Sequence, residues 1–100
     1  MANICFNELY ASSEIPENIN YISEFLQNEL HADVYNEDKE IVEANFDSRW
    51  AFPKEKMESL YEGLPNKDDI YMRCLSVEYG NDYVAYHKCD EHGWWNEGLS

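Results

Sequence analysis

The chain has 100 residues, 44% hydrophobic and 15% aromatic. That is enough for one domain spanning 1–100 that buries about 60–65 per cent of its unfolded surface, and too apolar for a disordered acidic tail. Its 21 Asp and Glu against 7 Lys and Arg give a formal charge of −14, which excludes direct nucleic-acid binding, because cations must displace the counterions around phosphates. No Lys or Arg precedes Lys39, whereas Glu8, Glu14, Glu17, Glu24, Glu29, Asp33, Glu37 and Asp38 all do. Partners are therefore expected to be basic proteins.

In "NICFNELY", Ile4 and Phe6 alternate with Cys5 and Asn7, the pattern of a strand with one buried face. Ser12 and Ser13 are candidate N-caps, and Pro16 suits a first helical turn. Ile19, Ile22, Phe25, Leu26 and Leu30 then form one stripe of a helix over Pro16–Leu30, with Glu17, Glu24 and Glu29 pointing away. "ADVY" and "EIVEANFDSRW" flank the polar turn "NEDK" and read as a hairpin in which Val42, Ala44, Phe46 and Ser48 share a side. Trp50 is expected to cover the edge of the core at a sharp corner, and Pro53 to start a second helix. That helix buries Met57, Leu60, Tyr61 and Leu64 and stops at Gly63 and Pro65. "IYMRCLSVEY" and "DYVAYHKC" form two strands around a Gly80–Asn81 turn, the second running on toward Trp94 and Trp95.

The order β-α-β-β-α-β-β predicts an α+β, ferredoxin-like two-layer sandwich with two helices on one face of a mainly antiparallel sheet. A two-residue turn would set Cys74 opposite His87 and Met72 opposite Cys89, away from Leu75, Val77, Val84 and Tyr86. Parity adds Cys5 to the cysteine side, which is read, with Tyr83, as the half-covered open face.

The segment Ile41–Trp95, just over half the chain, resembles the ferredoxin-like domain of YubB-type proteins of phages, plasmids and mobile elements. The resemblance rests on the F-x-S-x-W strand of Phe46, Ser48 and Trp50, the proline before a short amphipathic helix, and Glu78 with Gly80 in the following hairpin. Ala51 and Phe52 stand where that family often carries an extra proline, and the N-terminal half has no matching signature. The resemblance implies a mobile-element context and no particular activity.

In that context the acidity suggests a small inhibitor that binds a host nucleic-acid-handling defence protein, of the anti-CRISPR or anti-restriction type, by presenting carboxylates in place of phosphates. The candidate partner-binding residues are Glu17, Glu24, Glu29, Asp33, Glu37 and Asp38, with Trp94 and Trp95 as candidate apolar anchors. The alternative is a non-enzymatic interaction or structural module whose acidity serves solubility.

No cofactor or metal is expected, because His87-x-Cys89-x-x-His92 is not a zinc spacing and "DVYNEDKEIVE" lacks the glycine of an EF-hand loop. No nucleophile elbow, phosphate loop or dinucleotide fingerprint occurs, so no enzyme is expected. Cys5, Cys74 and Cys89 are odd in number and cannot all pair. With no basic start or long apolar run in "MANICFNELYASSE" and no span suited to a membrane, a cytoplasmic protein of a bacterial host cell with free thiols is the expectation.

Overall fold

The computed structural model describes residues 3–98. Its elements run β1 (Ile4–Ser12), α1 (Pro16–Glu29), β2 (Asp33–Glu37), β3 (Ile41–Arg49), α2 (Lys54–Glu62), β4 (Tyr71–Glu78), β5 (Tyr83–Asp90) and β6 (Gly93–Asn96). The strands form one sheet in the order β2-β3-β1-β4-β5-β6. Every neighbouring pair is antiparallel.

Both helices lie on one side of the sheet. The α1 stripe of Ile19, Ile22 and Leu26 packs with Met57 and Leu60 of α2 onto Leu9, Ala11, Val42, Ala44, Met72, Cys74 and Cys89. Small side chains at Ala11, Ala44 and Cys74 let the helices approach the strands closely, which large residues would prevent. Where α1 and α2 meet, a Cβ on Gly63 would run into the Tyr21 side chain.

Ser13 does not cap α1. The N-cap is Ile15, without a side-chain cap, while Ser13 Oγ accepts from Ile15 N (3.0 Å) and donates to the Asp69 carbonyl (2.6 Å). Asn18, fully buried in the first turn, reaches the same segment. Its Nδ2 donates to the Asn66 and Asp69 carbonyls (2.7 and 2.9 Å), and its Oδ1 accepts from Asn66 N (3.0 Å). The start of α1 is therefore tied to the loop that follows α2.

At the β3–α2 corner Trp50 is 52% exposed with φ +70°, so it does not cover the core. The residue that does is Phe52, stacked on His87 with ring centroids 3.7 Å apart and edge-on to Trp94 at 5.4 Å. The corner is held from below by a polar chain. Asn7 Nδ2 donates to the Phe46 carbonyl (3.2 Å) and Ser48 Oγ (2.9 Å), Ser76 Oγ donates to Asn7 Oδ1 (2.7 Å), and Ser48 Oγ donates to the Ala51 carbonyl (2.7 Å).

The β4–β5 register has Cys74 opposite His87 and Met72 opposite Cys89, as the sequence suggests. The connection is longer than two residues: a 3-10 turn over Tyr79–Asn81 followed by left-handed Asp82 joins the paired Glu78 and Tyr83, and it inserts no slip. Buried Glu78 holds the turn by accepting from Gly80 N (2.7 Å) and Asn81 N (2.9 Å).

The last strand does not run straight to the tryptophans. It reverses at Glu91–His92, where Asp90 Oδ1 accepts from His92 N (2.8 Å) and Gly93 takes φ +98°, a conformation glycine adopts without strain. A sixth strand results.

Candidate functional site

The cysteine face is the covered one. Cys5, Cys74 and Cys89 are buried beneath the helices and the β3–α2 corner, while Leu75 and its open-face neighbours Ile4 and Phe6 meet solvent. The physical reason is charge. Leu75 shares its side with Arg73, Lys88, Glu8 and Glu43, and burying those groups unpaired would cost several kcal/mol each.

Burial pushes the Cys74 and Cys89 thiols up to about 12 and raises Cys5 as well, so all three are held as unreactive thiols. Among the described residues no group of three or more His, Cys, Asp or Glu is placed to hold a metal ion. Burial, and then nearby Lys54, lower the pKa of His87, whose Nδ1 has no hydrogen-bond partner. His87 is a half-buried ring stacked on Phe52, and it lines a cavity of about 400 Å³ together with Lys54, Glu58 and Trp94. Tyr83 sits on this covered side, where its hydroxyl accepts weakly from Phe52 N (3.4 Å).

Five of the six candidate carboxylates fall on two elements that touch. Glu17, Glu24 and Glu29 are exposed on α1, which has no Lys or Arg. Asp33 and Glu37 belong to edge strand β2, and Asp38 follows it. Ser23 Oγ of α1 donates to Glu37 (2.7 Å), joining helix and strand. Asp38 is partly committed to structure, since its Oδ1 accepts from Glu40 N and Ile41 N (2.8 and 2.9 Å). Of the six, Glu29 alone has an ion-pair partner among the described residues, Lys56 at 3.3 Å.

Trp94 and Trp95 lie at the opposite edge of the sheet, on β6. Trp94 Nε1 donates to the Met57 carbonyl (2.8 Å), which ties it into the core, and Trp95 remains 40% exposed.

The surface that the sequence reading missed is the open face itself. Cross-strand rows on it read Asn36–Glu43–Tyr10–Arg73–Lys88–Trp95, then Asp33–Asn45–Glu8–Leu75–Tyr86, then Asp47–Phe6–Val77–Val84. Ile4, Phe6, Tyr35 and Leu75 are exposed there. Arg73 lies over the Tyr10 ring with its guanidinium carbon 4.1 Å from the centroid, and Lys88 lies 5.6 Å from that of Tyr86. A groove of about 420 Å³ runs between Tyr10, Tyr35, Leu75 and Tyr86. Tyr35 donates to Glu8, a bond that pushes the phenol up to about 12.

The parity of the charges was the available signal. In β4 the side bearing Arg73 also bears Leu75 and Val77, whereas Met72, Cys74 and Ser76 carry no charge and Glu78, at the end of that other side, is satisfied by the amides of the turn.

No protein-family model, curated protein or solved structure matches the chain. No helix among the described residues is long and apolar enough to cross a membrane.

Proposed function

We propose that this protein is a non-enzymatic binding protein that presents its acidic α1–β2 side to a protein with a basic, nucleic-acid-binding surface. The observation that carries the reading is the coincidence of α1, a 14-residue helix without a cation, with an adjoining acidic edge strand. Such a side resembles a row of phosphates in sign, steers a basic partner inward, and competes with its nucleic acid.

A host defence enzyme of the CRISPR or restriction kind, met by a mobile-element protein related to the YubB type, is the narrower form of the proposal. A ferredoxin-like assignment belongs to the same reading. It is supported by the order β2-β3-β1-β4, in which β3 lies between β1 and β2, and β1 between β3 and β4.

The test uses tagged protein to capture basic nucleic-acid enzymes from a bacterial lysate, with duplex DNA or salt as competitor. Either competitor should release the partner, and reversing Glu17, Glu24 and Asp33 together to Lys should weaken capture by at least tenfold. Reversing Glu55 and Glu58 on α2 should do little. Capture that survives both competitors and the triple reversal would refute it.

Exposed Trp95 on edge strand β6 favours one second reading, an apolar contact indifferent to salt. In that case Trp95→Ala would abolish capture while the charge reversals would not.

A further inference from the structure

The open face differs from the rest of the surface in its charge. By register it carries five carboxylates, Glu8, Asp33, Glu43, Asp47 and Asp90, and three cations, Arg49, Arg73 and Lys88. Five carboxylates against three cations leave it a net −2, in a chain of charge −14 with only seven cations. Across the three central rows the signs are also sorted. There the carboxylates occupy β2, β3 and β1, while Arg73 and Lys88 occupy β4 and β5 and face each other as a cross-strand pair of like charge, an arrangement that costs stability within one sheet. Arg49 on β3 and Asp90 on β5 lie outside those rows. Among the described residues neither Arg73 nor Lys88 has a carboxylate partner, and Glu43 has no cation.

We propose that this face pairs with the same face of a second copy, about a two-fold axis parallel to the strands and running between β1 and β4. The strand order puts that line at the centre of the sheet. Rotation about it lays β1 on the partner's β4, β3 on its β5 and β2 on its β6, so in the central rows the carboxylate-bearing strands β1 and β3 meet the strands that carry Arg73 and Lys88. Glu43 then faces the partner subunit's Lys88, and Tyr10 faces the partner subunit's Arg73. Phe6, Val77 and Leu75 fill the middle, where two sheets pack about 10 Å apart.

An isologous contact requires a surface complementary to itself, and the central row Glu43–Tyr10–Arg73–Lys88 satisfies that requirement. The six strands offer a face of roughly 700 Å² at usual strand spacings, close to the roughly 800 Å² per partner of a stable interface. Holding only −2 of the chain's −14, the face is also where two copies repel each other weakly. The dimer leaves both acidic α1–β2 sides outward and available.

Sedimentation equilibrium of the untagged chain and three charge variants tests the pairing. The wild type should dimerise, and E43K and K88E should each weaken the dimer about tenfold, as expected for a close interfacial charge pair. The double variant E43K/K88E should recover most of that loss. Within one chain these positions lie three strand spacings apart, about 14 Å, so recovery reports a contact between copies and not repair inside one. Leu75→Asp, which lies on the solvent-facing side and should keep the wild-type circular dichroism, should give monomer. A wild type that stays monomeric at millimolar concentration would overturn the proposal. So would a Leu75→Asp variant that still dimerises, or a double variant no tighter than the singles.

Discussion

One side of β1 carries Cys5, Asn7, Leu9 and Ala11, and the other carries Ile4, Phe6, Glu8 and Tyr10. The second set has the larger apolar residues, yet the first set is buried under the helices. The same inversion holds in β4, where Met72, Cys74 and Ser76 are inside and Leu75 is 39% exposed. Size of side chain is a poor guide to which side of a sheet is covered. Small residues permit close packing of helices, and an unpaired charge on a strand forbids it.

The contrast between the two sides can be broken most forcefully by truncation. Leu60→Ala and Met72→Ala, both fully buried under or within the helical layer, should each cost about 3 kcal/mol in urea unfolding. Leu75→Ala, measured where the chain is monomeric, should cost less than about 1 kcal/mol. Equal losses would mean that the open side is covered within the monomer.

Asn7→Ala comes next. It removes the donor to Phe46 and Ser48 and the acceptor for Ser76, leaving buried groups unpaired at a cost of about 2 kcal/mol. A loss below about 0.5 kcal/mol would show that water replaces the amide.

A smaller effect, of opposite sign, is expected at the corner. Trp50 holds φ +70° and is half exposed, so Trp50→Gly should leave stability unchanged or raise it by up to about 1 kcal/mol. A large loss would show that the indole packs as the sequence suggested.

The smallest effect is on pH dependence. His87 has a lowered pKa in the folded chain, so below about 6.5 the unfolded chain takes up the proton first and the folded state loses stability as pH falls. Above that pH both states are neutral and the effect vanishes. His87→Gln should flatten this part of the profile relative to wild type, and identical slopes would place the wild-type ring in water.

The helices were legible because their stripes depend on local spacing alone: Ile19, Ile22 and Leu26 in α1, Met57 and Leu60 in α2. The β4–β5 register was legible too, since a longer turn of matching parity keeps Cys74 opposite His87.

What failed was tertiary. Asn18 carries no local sign of burial, which comes only from the loop at Asn66–Asp69 folding back onto it. Trp50 continues the alternation of Phe46 and Ser48, but Ser48 ends it by bonding Ala51, so the next aromatic inside is Phe52. Gly93 after Asp90 marked a reversal that the apolar Trp94 and Trp95 disguised as a continuing strand.

The carboxylates of α1 and β2 were visible individually. Their adjacency depends on α1 packing against the edge strand, and the charge pattern of the open face's central rows depends on a six-strand register that no single segment reveals.

The salt dependence of self-association tests the difference between the two surfaces most directly. Two copies of charge −14 repel at long range, and salt screens that repulsion more than it screens ion pairs enclosed between sheets. Sedimentation equilibrium at 0.02 and 0.5 M NaCl, concentrations set near the roughly 20 Å and 4 Å screening lengths that bracket the interface, should show the dimer tightening as salt rises. A dimer that loosens with salt, or a monomer at both concentrations, would contradict a weakly charged, self-complementary open face backed by an outward acidic layer.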